Sequence, residues 1–559
     1  MIIIVRLYFL QIVNGQNYSK KADRQYTNIS VDTYNRGSIF FQDKNENLIS
    51  AASLKTGYIL ALNTKIMATD TENYYKKISE IIPIDAEIFY SKATKINDPY
   101  EEIARQISED KISKISKLKL PGLIIEKENW RYYPGDSLAA NLIGFVGFDN
   151  AGEKLEGRYG LEKYYDDNLK RDNNGLYTNA FVEIFLNINK NFIQNKEREG
   201  DIIITIDPEI QGYVEKIIDD TKKKWDSKTI GAIIINPKNG EIYSMAVSPS
   251  FNLNNFKNEK DISIFSNPLV SDSYEMGSII KALTMTAGID NGDITAQTTY
   301  DDKGFLKSDG YTVYNSDKKS HGIVDMQTIL NKSLNTGAAF VMDKIGKNKF
   351  LEYMQNYGIG TETGIDLPSE AGGNINNLLD NLNNNKKIEY ITASFGQGIS
   401  MTPIMAVKAF SVLANGGKLI IPHIVKKINY KVGLSKNISY INEAKQIIKK
   451  ESSEEITRML VKVVDDALAG GNVKIKNYSI AAKTGTAQIA RPTNEGGGYY
   501  PDKWLHSFFG YFPAYNPKFL IFLYMIEPKN VNYASQTLTT PFFDISRFLI
   551  NYYEIAPDR

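Results

Sequence analysis

The sequence predicts an α+β chain whose larger folded part begins at Asp201. Three observations carry this. Ile202-Ile203-Ile204-Thr205-Ile206 is a compact apolar run, followed at 208–224 by a helical pattern that opens on Pro208. Ala232-Ile233-Ile234-Ile235-Asn236-Pro237 then passes through Lys238-Asn239-Gly240 into Glu241-Ile242-Tyr243-Ser244-Met245-Ala246-Val247, a β-hairpin signature. Before them, residues 170–200 are charged and Asn-rich, as expected of a boundary. At roughly 150 residues per domain, 559 residues suggest three or four domain-sized units.

Composition narrows the chemistry. Apolar residues are 42% and charged residues 23%, so a largely disordered chain is excluded. Lys+Arg number 66 and Asp+Glu 65, so no global field draws in nucleic acid. With no cysteine there are no disulfides, thiolate nucleophiles or iron–sulfur clusters. The three histidines, His321, His423 and His506, are far apart, which disfavours a His-rich metal site. Acyl-transfer chemistry would then need another base, and lysine is the obvious candidate.

Read in order, the apolar run at 1–13 is too short to span a bilayer, which takes about 20 residues. It is expected to be the outer end of a membrane anchor whose beginning is missing; a buried helix or strand is the alternative. Arg36-Gly37-Ser38-Ile39-Phe40-Phe41 followed by Asp43-Lys44-Asn45 reads as a strand entering a turn. Residues 71–118 read as helical, including Tyr100 to Ile107, with Ile112, Ile115 and Leu118 repeating the spacing. Leu120-Pro121-Gly122 stops this pattern, and Leu123-Ile124-Ile125 and Tyr132-Tyr133 return to strand character. Residues 374–385 form an Asn-rich loop, and no internal repeat is visible.

Three short motifs carry candidate chemistry. Ser278 and Lys281 lie three apart at the start of a helical pattern in which Ile279, Ile280, Leu283 and Ala287 form the apolar side. A serine hydroxyl needs an adjacent base, and a desolvated lysine with a depressed pKa can serve. Ser333-Leu334-Asn335 sits between helical stretches at 326–332 and 336–345. Ser333 could relay a proton and Asn335 could hold a peptide, or both could simply cap a helix. Lys483-Thr484-Gly485-Thr486 ends the strand-like run 478–482. Alternation puts Thr484 and Thr486 on one face and Lys483 on the other, and Gly485 allows a second backbone close by. Two hydroxyls beside an ammonium can hold a carboxylate; the bland alternative is a surface strand with a solvated lysine.

The order S-x-x-K, S-x-N, K-T-G resembles the penicillin-binding transpeptidases, specifically the monofunctional class B type. Tyr274-Glu275-Met276-Gly277-Ser278 is similar to the family's stretch around the nucleophile, with Met276 where the family usually has proline. Ser394-Phe395-Gly396-Gln397-Gly398 with Met401-Thr402-Pro403 resembles the segment before a lining helix. Asp201-Ile202, Thr205-Ile206-Asp207 and Gln211 resemble the entry to the catalytic domain. Arg36-Gly37 and Gly157-Arg158-Tyr159-Gly160-Leu161-Glu162 resemble motifs of an N-terminal pedestal, and Gln11-Ile12-Val13 with Gly15 the end of the anchor.

The resemblance implies a partial anchor at 1–14, an elongated α+β pedestal at 15–200, and a transpeptidase domain at 201–559 with an antiparallel sheet between helices. It implies a chain held in the cytoplasmic membrane by a single-pass anchor, with its bulk extracytoplasmic. Its substrate would be peptidoglycan stem peptides ending in D-Ala-D-Ala, and penicillin and other β-lactams would acylate the same serine. Ser278 would be the nucleophile, Lys281 its base, and Ser333, Asn335 and Lys483 the rest of the catalytic set. Thr484, Gly485 and Thr486 would bind substrate, with Ser278 and Thr486 N–H groups as an oxyanion hole. No cofactor or metal is implied. A SEDS-type membrane glycosyltransferase and division or elongation proteins are the implied partners. The S-F-G-Q-G form and Ser507-Phe508-Phe509-Gly510-Tyr511-Phe512-Pro513 lean toward the division type. A serine β-lactamase, or a sensor or division scaffold without turnover, remains an alternative.

Overall fold

Alternation along one strand explains the architecture of the larger part of the molecule. In Tyr499–Phe512, Phe509 stacks on Phe410 at 3.9 Å between ring centroids, while its neighbour Phe508 stacks on Phe542 at 4.4 Å. Successive side chains of a strand point to opposite faces, so a strand with both faces apolar must be covered twice. The computed structural model describes residues 34–67, 70–95, 98–149, 154–171 and 199–559. In it a five-stranded antiparallel sheet runs in the order Ala481–Ala490, Tyr499–Phe512, Phe519–Ile526, Thr229–Ile235, Ile242–Ser248.

Helices cover both faces. Pro208–Trp225 and Thr539–Tyr552 bury Ile210, Val214, Ile218, Phe542 and Leu549 against Ile234, Phe508 and Ile521. Ile280–Asn291, Pro403–Ala414 and Lys450–Lys462 fill the other side with Ile233, Phe509 and Phe522. The strand Phe519–Ile526 is buried at every residue, as its uninterrupted apolar sequence requires. The expected hairpin is present, with Ile233 opposite Met245 and Gly240 at φ +88° in the turn. There a side chain would meet the carbonyl of Ile421 at 2.2 Å.

The chain divides into two compact units. The larger comprises 37–53, 133–169 and 197–559, so it takes in two segments that precede Asp201. One of them supplies the strand Ile39–Gln42, which pairs in parallel with Gly200–Ile204; Val425–Tyr430 pairs antiparallel on the other side. The smaller unit holds 54–132. Helices Thr71–Ser79, Ala86–Ala93 and Glu109–Lys117 there pack Tyr74, Ile78, Phe89, Ile112 and Ile115 around Leu60 and Leu62.

Four expectations are corrected. Tyr100 to Ile107 is not helical: Glu101–Ile107 is a strand paired with Leu48–Leu62. Ile103 and Ile107 are four apart, a spacing that suits a helical turn and two steps of a strand equally. Lys483-Thr484-Gly485-Thr486 lies within Ala481–Ala490 and does not end a strand. The Asn-rich loop carries a short helix, Asn376–Asp380. The reading of a single-pass protein of the cytoplasmic membrane is overturned, because no helix among the described residues is long and apolar enough to cross a membrane. Pro208–Trp225, at 18 residues, is interrupted by charges from Glu209 to Lys224. The run at 1–14 lies outside the described residues, as does most of the boundary at 170–200.

Candidate active site

Ser278 sits in a single 3₁₀ turn, Gly277–Ile279, which leads into the helix Ile280–Asn291. The predicted apolar side understates this helix: nearly all of it is buried, Lys281, Thr284 and Thr286 included. Three residues and less than one turn of separation bring Lys281 Nζ to 2.9 Å from Ser278 Oγ. The same nitrogen donates to the Ser333 carbonyl at 2.6 Å and lies 3.1 Å from Ser333 Oγ. Burial, and then the positive charge of Lys483, hold the Lys281 pKa well below that of a free lysine. Lys281 Nζ thus has three oxygen partners, one on Ser278 and two on Ser333.

Ser333 is placed by backbone geometry. It ends the helix Met326–Lys332 in the left-handed region, at φ 56° and ψ 47°, and Asn335 opens the next helix, Asn335–Ile345. Neither side chain caps a helix N-terminus: Leu334 holds the N-cap position before Asn335, with no side-chain capping bond. Asn335 donates through its amide to the Tyr314 carbonyl at 2.9 Å. Behind it lies a buried network that the sequence did not reveal. Thr336 donates to Asp302 at 2.7 Å, and Asn315 donates to both Asp302 oxygens at 3.0 Å. The Thr336 N–H in turn donates to Asn315 at 3.1 Å, so the residue after Asn335 is tied to the core.

Ala481–Ala490 is the edge strand of the five, paired within the sheet to Tyr499–Phe512 alone. Its burial alternates: Lys483 and Gly485 are buried, Thr484 and Thr486 half-buried. Lys483 Nζ donates to Ser333 Oγ at 3.2 Å and to the Thr484 carbonyl at 3.0 Å. Burial lowers its pKa to about 8. Ser333 Oγ therefore stands between two amines, and its own proton is left to be given away.

Close backbone approach at Gly485 holds as expected. A methyl group there would lie 2.6 Å from the Met276 carbonyl and 2.3 Å from Ser507 Oγ. Ser507 faces Gly485 across the strand pair and donates to the Met276 carbonyl at 2.7 Å, fixing the start of the Ser278 turn to the sheet. Gly277, at φ +64°, completes the approach: a side chain there would meet the Thr486 carbonyl at 2.6 Å. Glu275, with its pKa raised by burial, accepts from Gly398 N at 3.0 Å and from the Tyr499 hydroxyl at 2.9 Å. Glu275 and Ser507 lie in family-like stretches of the sequence, but their partners are set by strand register and loop packing. The Gly485–Ser507 pairing has no local signal.

Thus a serine, two buried lysines and a second serine converge beside an edge strand. The chain belongs to the penicillin-binding protein family: the family's transpeptidase domain matches residues 230–545, more than half of the chain, and its dimerisation domain matches 32–180. Among its relatives is "Stage V sporulation protein D" of Bacillus subtilis, 29% identical, over 97% of this chain and 82% of that protein. Another is "Peptidoglycan D,D-transpeptidase MrdA" of Acinetobacter baumannii, 28% identical, over 97% of this chain and 85% of that one. The fold is shared with penicillin-binding protein 2X from Streptococcus thermophilus, at TM-score 0.74 and 18% identity, over 93% of this chain and 79% of that one.

Proposed function

We propose that this protein is a peptidoglycan D,D-transpeptidase acting through a serine acyl-enzyme. The observation that carries the reading is the contact of Lys281 Nζ with both Ser278 Oγ and Ser333 Oγ, at 2.9 and 3.1 Å. Ser278 Oγ attacks the carbonyl of the penultimate D-Ala while its proton passes to neutral Lys281. The oxyanion is held by the N–H groups of Ser278 and Thr486, a contribution of about 3 kcal/mol per donor where such donors have been removed. As the C–N bond breaks, the leaving D-Ala amine takes the Ser333 proton, which Lys281 replaces. An amine of a second stem peptide then attacks the ester, forming the cross-link and returning the proton to Ser278. Charged Lys483 tunes Ser333, Asn335 orients the peptide, and Thr484 and Thr486 bind the terminal carboxylate beside Gly485.

The reading takes 201–559 as the catalytic portion and 15–200 as its support. Penicillin and other β-lactams acylate Ser278, and a SEDS-type glycosyltransferase with division or elongation proteins supplies the glycan context. Relatives named peptidoglycan D,D-transpeptidase, MrdA of Acinetobacter baumannii among them, support the substrate. Labelling with a fluorescent penicillin tests the chemistry. A long-lived adduct at Ser278, absent in Ser278→Ala, is expected. An adduct on another serine overturns the site assignment, and turnover within seconds would mark a β-lactamase.

A further inference from the structure

One buried polar chain beside the site has no part in the proton transfers described. His506 lies directly opposite Thr486 in the strand pair and is wholly buried. Its Nδ1 is 2.8 Å from the Thr537 hydroxyl. Thr537 closes the short helix Ala534–Thr537 through a bond to the Ala534 carbonyl at 3.2 Å. The Ala534 N–H then donates to Thr486 Oγ1 at 3.1 Å. The path leaves Tyr499–Phe512 at His506 and reaches the neighbouring edge strand at Thr486.

Its consequence follows from donor counting. A threonine hydroxyl has one proton. Because Thr486 Oγ1 already accepts from a backbone N–H, its proton is directed away from Ala534 and is available to an anion. A hydroxyl without that fixed donor would spend part of its time turned toward other acceptors. Burial drops the His506 pKa to about 4, so near neutral pH the ring is uncharged and acts by position alone.

We infer that His506, through Thr537 and the Ala534 N–H, is a positioning residue that aims the Thr486 hydroxyl at the carboxylate of the substrate. The inference rests on the proposed transpeptidase reading and deepens it. His506 touches no reacting atom, so its loss affects carboxylate recognition and leaves the acylation step itself in place.

The test compares acylation of the full chain by benzylpenicillin and by its methyl ester, which lacks the carboxylate. The ratio of the two second-order rate constants reads recognition of the charge. Ala534→Pro removes the N–H and adds a ring at a buried position. Proline is favoured at the first position of a helix, and the preceding Tyr533, at φ −120° and ψ 133°, has the backbone that proline requires. Ala534→Pro, Thr537→Val and His506→Leu are each expected to lower the ratio by roughly tenfold, as loss of a hydrogen bond to a charged group does, with the ester rate little changed. His506→Asn, which restores a polar atom near the Nδ1 position, should recover part of it. If His506→Leu fails to fold, Ala534→Pro and Thr537→Val decide. An unchanged ratio in these variants, or an ester rate that falls as far as the acid rate, overturns the inference. Absence of labelling by benzylpenicillin in the unaltered protein would instead sink the serine reading beneath it.

Discussion

Lys281 and Lys483 are both buried, at 1% and 3% exposure, yet the geometry asks opposite things of them. Lys281 touches Ser278 and in the proposed mechanism must be neutral to accept its proton, whereas Lys483 touches Ser333 and the Thr484 carbonyl and in that mechanism acts through its charge. Arginine keeps a charge but does not deprotonate in proteins. Lys281→Arg should therefore lose nearly all acylation by penicillin, and Lys483→Arg should retain a measurable rate; equal losses would refute the division of labour. The pH profile follows from the same pair. As pH rises, Lys281 loses its proton well below the ordinary lysine range and the rate climbs. As pH passes about 8, Lys483 loses its charge and the rate falls. Rates measured across pH should show both limbs, and Lys483→Arg should lack the alkaline one, since its charge persists. Gly485→Ala would drive a methyl group into the Met276 carbonyl and Ser507 Oγ. It should slow acylation by at least about tenfold, the cost of displacing reacting groups even slightly.

At the scale of elements, the site is a meeting of three. The nucleophile turn, the joint between Met326–Lys332 and Asn335–Ile345, and the edge strand Ala481–Ala490 each hold one motif. The joint packs Ile329, Leu330 and Leu334 into the core, and Asp302, Asn315 and Thr336 add a buried hydrogen-bond network beside it. Asp302→Ala would leave the buried Asn315 amide and Thr336 hydroxyl short of partners, at a cost of about 1–3 kcal/mol. A drop in Tm of a few degrees, together with slower acylation, is expected. Unchanged melting would show that the network adds nothing to stability. Each motif was legible because its spacing is local: three residues within a helical turn, two across a helix joint, four along a strand. The strand Glu101–Ile107 misled for the complementary reason. Its spacing fits two periods, and only pairing with Leu48–Leu62 chooses between them.

Across the whole molecule, the larger unit is assembled from segments far apart in the chain. Ile39 and Phe41, both buried, belong to its core, and Ile39–Gln42 is the parallel partner of Gly200–Ile204. A fragment beginning at Asp201 would uncover that strand's edge and the apolar side chains beside it. Its Tm should therefore fall below that of the full chain, and thermal melts of the two proteins side by side check this; equal melting would show that the segments before Asp201 add no stability. The sequence by itself determined the strand at 202–204, the hairpin at 232–247 and the helix from Pro208, and it marked the candidate chemistry through motifs of short spacing. It determined the class of protein as well, because three such motifs in one order are specific together. Tertiary structure alone decided what surrounds them. Strand register set Ser507 opposite Gly485 and His506 opposite Thr486, and chain crossing set 37–53 and 133–169 into the larger unit. Register and crossing depend on which distant surfaces bury one another, and no local period encodes that choice.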